Sequence, residues 1–105
     1  MTVIVNDASM LSDITPESAH RRTERSGHAW RLSWLPARSL TRVQALAGMR
    51  LDEILSDPAV VYDRLSMAQA DAYADQLGIL HEHAVILLAK RMAERDRARR
   101  PTGVA

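Results

Sequence analysis

The stretch His28-Ala29-Trp30-Arg31-Leu32-Ser33-Trp34-Leu35 decides how the chain is read. Its large apolar residues recur at every second position. Trp30, Leu32 and Trp34 therefore share one face of an extended segment, with Arg31 and Ser33 on the other. Leu35-Pro36 ends the pattern in an extended or turn conformation, because a residue before proline avoids the helical region. A strand cannot stand alone, since its backbone N–H and C=O groups need partners. Val3-Ile4-Val5, another short segment, or the same strand in a second subunit can supply them.

On the N-terminal side, Asn6 to Ser12 reads as loop. Thr15-Pro16-Glu17 has the form of a helix start, with a capping threonine, a proline at the first helical position and an acid facing the positive helix end. That predicts a polar helix running to Arg25 and ended by Gly27. On the C-terminal side, Thr41-x-x-Gln44 is a capping box, so a helix should begin at Arg42. Val43, Leu46, Ala47, Leu51 and Ile54 make its apolar stripe. Asp57-Pro58 opens a short helix over Pro58–Arg64. Ser66-x-x-Gln69 opens another, which runs to Leu77, and Gly78 suits the left-handed position that follows it. A last helix covers Glu82–Arg97. The sum is a mainly α (α+β) fold: four to five short helices with one or two short N-terminal strands. It divides into a partly flexible N-terminal segment (1–27), a helical domain with a leading strand (28–97) and a flexible tail (98–105).

A chain of 105 residues, 47% hydrophobic and 26% charged, is one ordinary domain with enough apolar material for a core. It has no cysteine, which excludes disulfides, thiolate zinc sites and thiol catalysis and suits a cytoplasmic setting. The first seven residues do not read as a signal peptide, and the longest apolar run, Ala84 to Ala89, is far short of the roughly 20 residues a membrane span needs. The net charge is +1, but the charges fall in blocks. Residues 1–19 are acidic, 20–50 rich in arginine, 51–83 acidic, and 90–100 basic. Such blocks attract one another within a fold or across subunits, and a basic block attracts phosphates.

The stretch from Trp30 to Ala45, with Trp34-Leu35-Pro36-Ala37-Arg38 leading into Leu40-Thr41-Arg42-Val43-Gln44-Ala45, resembles a group of small uncharacterised proteins from actinobacteria and their phages or prophages. Those proteins share a Trp-Leu-Pro-Gly-Arg turn followed by Leu-Thr-Arg-x-Gln-Ala. Ala72-Tyr73-Ala74-Asp75-Gln76-Leu77-Gly78 is similar to a second stretch of the group, which has a tryptophan near position 72. This chain has Ala37 where the group has glycine. The resemblance covers about residues 29–80. It implies a mobile-element setting, in which small proteins often bind a host or phage component. It assigns no activity and no functional residue.

Chemistry has few footholds. His81 and His83 point about 200° apart on a helix, so one metal ion does not bridge them. Asp71 and Asp75 share a helix face at i,i+4 and read as a solvated face. The four glycines are isolated, and no phosphate-cradling loop or nucleophile elbow occurs. We therefore expect no catalytic residue, metal or cofactor.

Binding has more. Trp30 and Trp34, interleaved with Arg31 and Arg38, are either core or a stacking platform for a single-stranded nucleic acid. Tyr73, Ala74, Leu77, Gly78 and Ile79 follow the order of a helix–turn–helix within residues 66–97. A ribbon–helix–helix dimer built on the Trp30–Trp34 strand is a second DNA-binding form. In the helix–turn–helix reading, Arg91, Arg95, Arg97, Arg99 and Arg100 are the phosphate contacts. Against a reading helix, Val85-Ile86-Leu87-Leu88-Ala89 is apolar nearly all round. With Ala84, Val85, Leu88, Ala89 and Met92 as core stripe, Ile86 and Leu87 fall on its two flanks. The leading expectation is accordingly a non-enzymatic interaction protein that binds a host or phage protein, or a second copy of itself, through Trp30, Trp34, Val85, Ile86 and Leu87. A DNA-binding regulator is the alternative.

Overall fold

Thr41 marks the join between two halves of the chain, a sheet before it and helices after it. The structure, a computed structural model, describes residues 3–22 and 30–99, apart from the side chains of Val61 and Arg99. Five strands, β1 (Val3–Val5), β2 (Ser9–Ser12), β3 (Ser18–Arg21), β4 (Trp30–Leu32) and β5 (Leu35–Leu40), form one antiparallel sheet in the order of the chain. Then come α1 (Arg42–Leu55), a 3-10 helix (Pro58–Tyr62), α2 (Arg64–Leu77) and α3 (His81–Arg99). Three α-helices on a five-stranded sheet replace the expected four to five helices with one or two strands.

Three strands were hidden in the sequence: β5, where the chain was expected to leave the strand pattern after Leu35-Pro36, and β2 and β3. β2 and β3 each send one side chain into the core, Met10 and Ala19, which lie opposite each other in the register. Ala19 in turn faces Leu32, and Leu32 faces Leu35. A four-residue strand with two adjacent apolar residues, as in β2, or with only one, as in β3, has no alternation to detect. The expected helix from Thr15 is instead a turn and then β3. Its capping chemistry is real but local: the Ile14 and Thr15 N–H groups donate to Ser12 Oγ, and the Glu17 N–H donates to Thr15 Oγ1. Gly27, the expected end of that helix, lies outside the described residues, as does the chain from Arg100 on; Ala98 and Arg99, expected in the tail, belong to α3.

The strand at Trp30 is present and pairs on both sides, with β3 and β5. It stops at Leu32. Ser33 and Trp34 make the turn into β5, an edge strand, where Pro36 needs no donor for the ladder. Trp34 is nonetheless fully buried, and its Nε1–H donates to the Gly48 carbonyl at 3.3 Å.

The capping box forms as expected: Gln44 N–H donates to Thr41 Oγ1 at 3.1 Å, and Thr41 N–H to Gln44 Oε1 at 3.0 Å. α1 crosses all five strands and also packs on α2, so it is buried over more than one stripe, at Ala45, Ala47, Gly48, Met49 and Leu51. Val43, expected in that stripe and lying in the first turn of α1, is exposed. α2 begins three residues earlier than Ser66 as its cap suggests. Asp63 is its N-cap, accepting from Leu65 N–H at 3.1 Å and from the Ser66 hydroxyl at 2.8 Å. Gly78 ends α2 in the left-handed conformation, φ 74°, as its position predicts. No helix among the described residues is long and apolar enough to cross a membrane.

Candidate functional site

Two places concentrate unusual side chains, a buried polar cluster and an apolar groove. The cluster lies where the turn before β3 meets α1 and α3. Glu17, Asp52 and Glu53 are all buried there, with Thr15 beside them. Glu17 accepts from Ser33 Oγ at 2.6 Å, from Arg91 Nε at 2.8 and 3.0 Å to its two oxygens, and from Arg95 Nη1. Asp52 accepts from Thr15 Oγ1 and Glu53 from Ser12 Oγ. Burial pushes the Glu17 carboxyl up, but the hydrogen bonds of Arg91 and Ser33 and the charges of Arg91 and Arg95 outweigh it and hold it below the ordinary value. Asp52 goes the other way. Burial raises it to about 6; the Thr15 hydrogen bond opposes the rise, and the nearby Glu17 charge adds to it.

Perturbed carboxyls can mark a catalytic site. These are enclosed and already bonded to side chains of their own chain, and no cleft described below is lined by them. The cluster is a strap: it ties the β2–β3 turn to α1 and to the middle of α3. Sequence reading missed it. Glu17 and Arg91 are 74 residues apart, and no local pattern joins them.

The groove lies between α3 and the segment from the end of α1 to α2. Gly78 turns the chain sharply, and α3 returns along α2. On α3 the residues that face inward are His81, Ala84, Leu87, Leu88, Arg91 and Arg95, a stripe at three- and four-residue spacing. Val85, Ile86, Ala89 and Met92 are exposed beside it. This corrects the expected stripe, which placed Val85, Ala89 and Met92 in the core. Two ionic contacts to Glu17 take the positions that apolar burial was expected to fill.

A cavity of about 230 Å³ opens between Leu55, Pro58, Val60 and Met67 on one wall and Val85, Leu88, Ala89 and Met92 on the other. It continues into a shallower cleft that shares Met67, His81 and Val85 and extends to Asp71, Glu82 and Ile86. His81 Nδ1 meets Asp71 Oδ1 at 2.6 Å across the helix pair at this point.

The candidate interface residues thus divide. Val85 and Ile86 line the groove, at 42% and 58% exposure. Leu87 is half-buried against the core, and Trp30 and Trp34 are in it. The tryptophan–arginine stacking platform does not form: both indoles are covered, and Arg38 Nη2 donates to the Leu77 carbonyl at the end of α2 at 2.9 Å. Of the candidate phosphate contacts, Arg91 and Arg95 are bonded to Glu17, and Arg97 is exposed. The Arg99 side chain and Arg100 lie outside the description. Among the described residues, no group of three or more histidine and carboxylate side chains is placed to hold a metal ion. Comparison of the chain with models of known protein families, with curated proteins and with solved structures finds no match.

Proposed function

We propose that this chain is a non-enzymatic interaction protein that seats part of a cytoplasmic protein partner in the groove between α2 and α3. One observation carries the reading: Val85 and Ile86 stand exposed next to an apolar cavity, on a helix whose inward face is already filled. Large apolar groups left in water beside a concave apolar surface mark a binding site more often than chance exposure does. The phage or mobile-element setting implied by the resemblance is consistent with such a role and remains part of the proposal.

The DNA-binding alternative has less behind it. The outward face of α3's first turns carries Val85 and Ile86, where a reading helix exposes polar groups. Arg91 and Arg95 are committed to Glu17. A ribbon–helix–helix dimer needs the Trp30 strand free to pair across a two-fold axis, and here that strand has a neighbour on each side.

A photo-crosslinking residue placed at position 86, with a control at the exposed Leu11 on the sheet, tests the proposal in cells. A defined protein adduct from position 86, absent from position 11 and lost on Val85→Glu, is the expected result. Equal adducts from both positions, or salt-sensitive DNA retention that depends on Arg97, overturns it.

A further inference from the structure

We infer that the occupant of the groove is an amphipathic helix with basic flanks, supplied by another protein. This rests on the groove being a partner site and adds what the partner must look like.

The shape argues for a helix. Along α3 the groove runs from Glu82 to Met92, about 15 Å at 1.5 Å per residue, or about three helical turns. Its walls are themselves helical, and a third helix laid between two others packs side-chain ridges into their grooves. The deep end, between Leu55 and Met92, is closed enough to hold one large apolar side chain as an anchor.

The charges argue for basic flanks. The ionisable groups lining the two clefts are Asp57, Asp71, Glu82 and His81, with no lysine or arginine among the described lining residues. His81 is already bonded to Asp71. Asp75 extends the acidic edge one turn along α2, and two cations stand against it: Arg64, a turn before Met67, and Lys90, a turn after Ile86 on α3. An apolar floor between acidic edges attracts a helix with lysine or arginine beside its apolar stripe and repels one with acids there.

A second copy of this chain fits less well. Its exposed α3 would bring Glu94 along with Lys90 and Arg97, while Arg91 and Arg95 are spent on Glu17. Such a flank is mixed in sign.

Two synthetic 18-residue peptides test the inference by fluorescence anisotropy against the full chain. Both have leucine at i, i+3, i+4 and i+7 spacing; one has lysine at its other positions and the other glutamate. The lysine peptide should bind about tenfold or more tightly than the glutamate peptide, and less tightly as salt is raised. Asp71→Lys with Glu82→Lys should reverse the order, and Asp57→Lys with Glu82→Lys, which leaves the His81 contact intact, should do the same. Ile86→Asp should weaken both peptides. Circular dichroism checks that each variant is folded. If the two peptides bind equally and Ile86→Asp abolishes both, the groove is a docking site but the basic-helix inference fails. If Ile86→Asp changes neither, the docking reading itself fails. A dimer that excludes both peptides, and that Ile86→Asp converts to a monomer, assigns the groove to a second copy and overturns the inference.

Discussion

Leu32 of β4 rests directly on Gly48 of α1, so closely that a Cβ at position 48 would stand 2.1 Å from Leu32 Cδ1. The sheet and the first helix meet at this point, and Trp34 adds its hydrogen bond to the same glycine's carbonyl. A glycine inside a helix costs about 1 kcal/mol relative to alanine. Here it is what lets α1 approach the sheet.

Gly48→Ala should therefore destabilise the protein despite the better helix propensity. Leu32 is completely buried among core side chains, so its displaced methyl group must push on them. Overpacking of this kind costs about 1–3 kcal/mol. Urea unfolding should show a lower midpoint, and Gly48→Ala combined with Leu32→Ala should lose less than the sum of the two single changes. An unchanged or raised midpoint in the single variant would mean that the helix and sheet can separate without cost.

Trp34→Ala should cost about 3–5 kcal/mol, a large share of the stability of a domain this size. The indole is 1% exposed and bonded through Nε1. Trp34→Phe separates the two contributions, since it retains most of the packing and removes only the hydrogen bond. Thermal midpoints of the two variants measure the split. A midpoint unaffected by the alanine change would place the indole outside the core.

Glu17→Gln should loosen α3. It removes the charge shared by Arg91 and Arg95 while leaving both guanidinium groups beside a buried amide. Breaking a buried pair costs about 3–5 kcal/mol. The arginines are partly exposed, at 37% and 30%, so solvent screens them and the expected loss is smaller, about 2 kcal/mol. Amide hydrogen exchange should speed up along α3 more than along α1. Uniform acceleration in both helices would remove the strap from the account.

Asp52 gives the stability an unusual pH dependence. Its carboxyl is raised from 3.8 to about 6 in the folded chain. Keeping it ionised is a penalty that is fully present above pH 6 and is relieved as pH falls from 6 toward 3.8. Glu17 is held below its ordinary 4.5, so its contribution is present above that value and is lost as pH falls through its lowered folded value. Stability should accordingly rise on acidification from pH 7.5 to about 5 before it falls. Asp52→Asn, which can still accept from Thr15, should raise stability at pH 7.5 by on the order of 2 kcal/mol and lose that advantage near pH 4.5. Thermal melts across this range decide it, and a gain independent of pH would assign the effect to packing instead of ionisation.

Local chemistry was legible wherever the residues that decide it are neighbours. The Thr41–Gln44 capping box, the Gly78 cap and the Val3–Val5 strand can each be read from a few consecutive residues, and each is where that reading puts it. The candidate site was half legible. The run Val85 to Ala89 has more apolar faces than one core contact uses, so an exposed apolar patch on this helix was foreseeable. Which side chains remain outside was not, because that depends on what else claims the inward stripe.

That choice belongs to the tertiary structure. Glu17, from a turn that resembles a helix start, draws Arg91 and Arg95 inward and turns Val85 and Met92 out. β2 and β3 have almost no strand signal of their own; Met10 and Ala19 become core only because α1 lies across them. By itself the sequence determined the start of α1, the end of α2, the Trp30 strand and the absence of any thiol chemistry. These depend on backbone conformation and on residue type, both local. The five-stranded sheet, the buried acids and the identity of the groove residues were decided by contacts between segments far apart in the chain, whose energies exceed the weak local preferences they override.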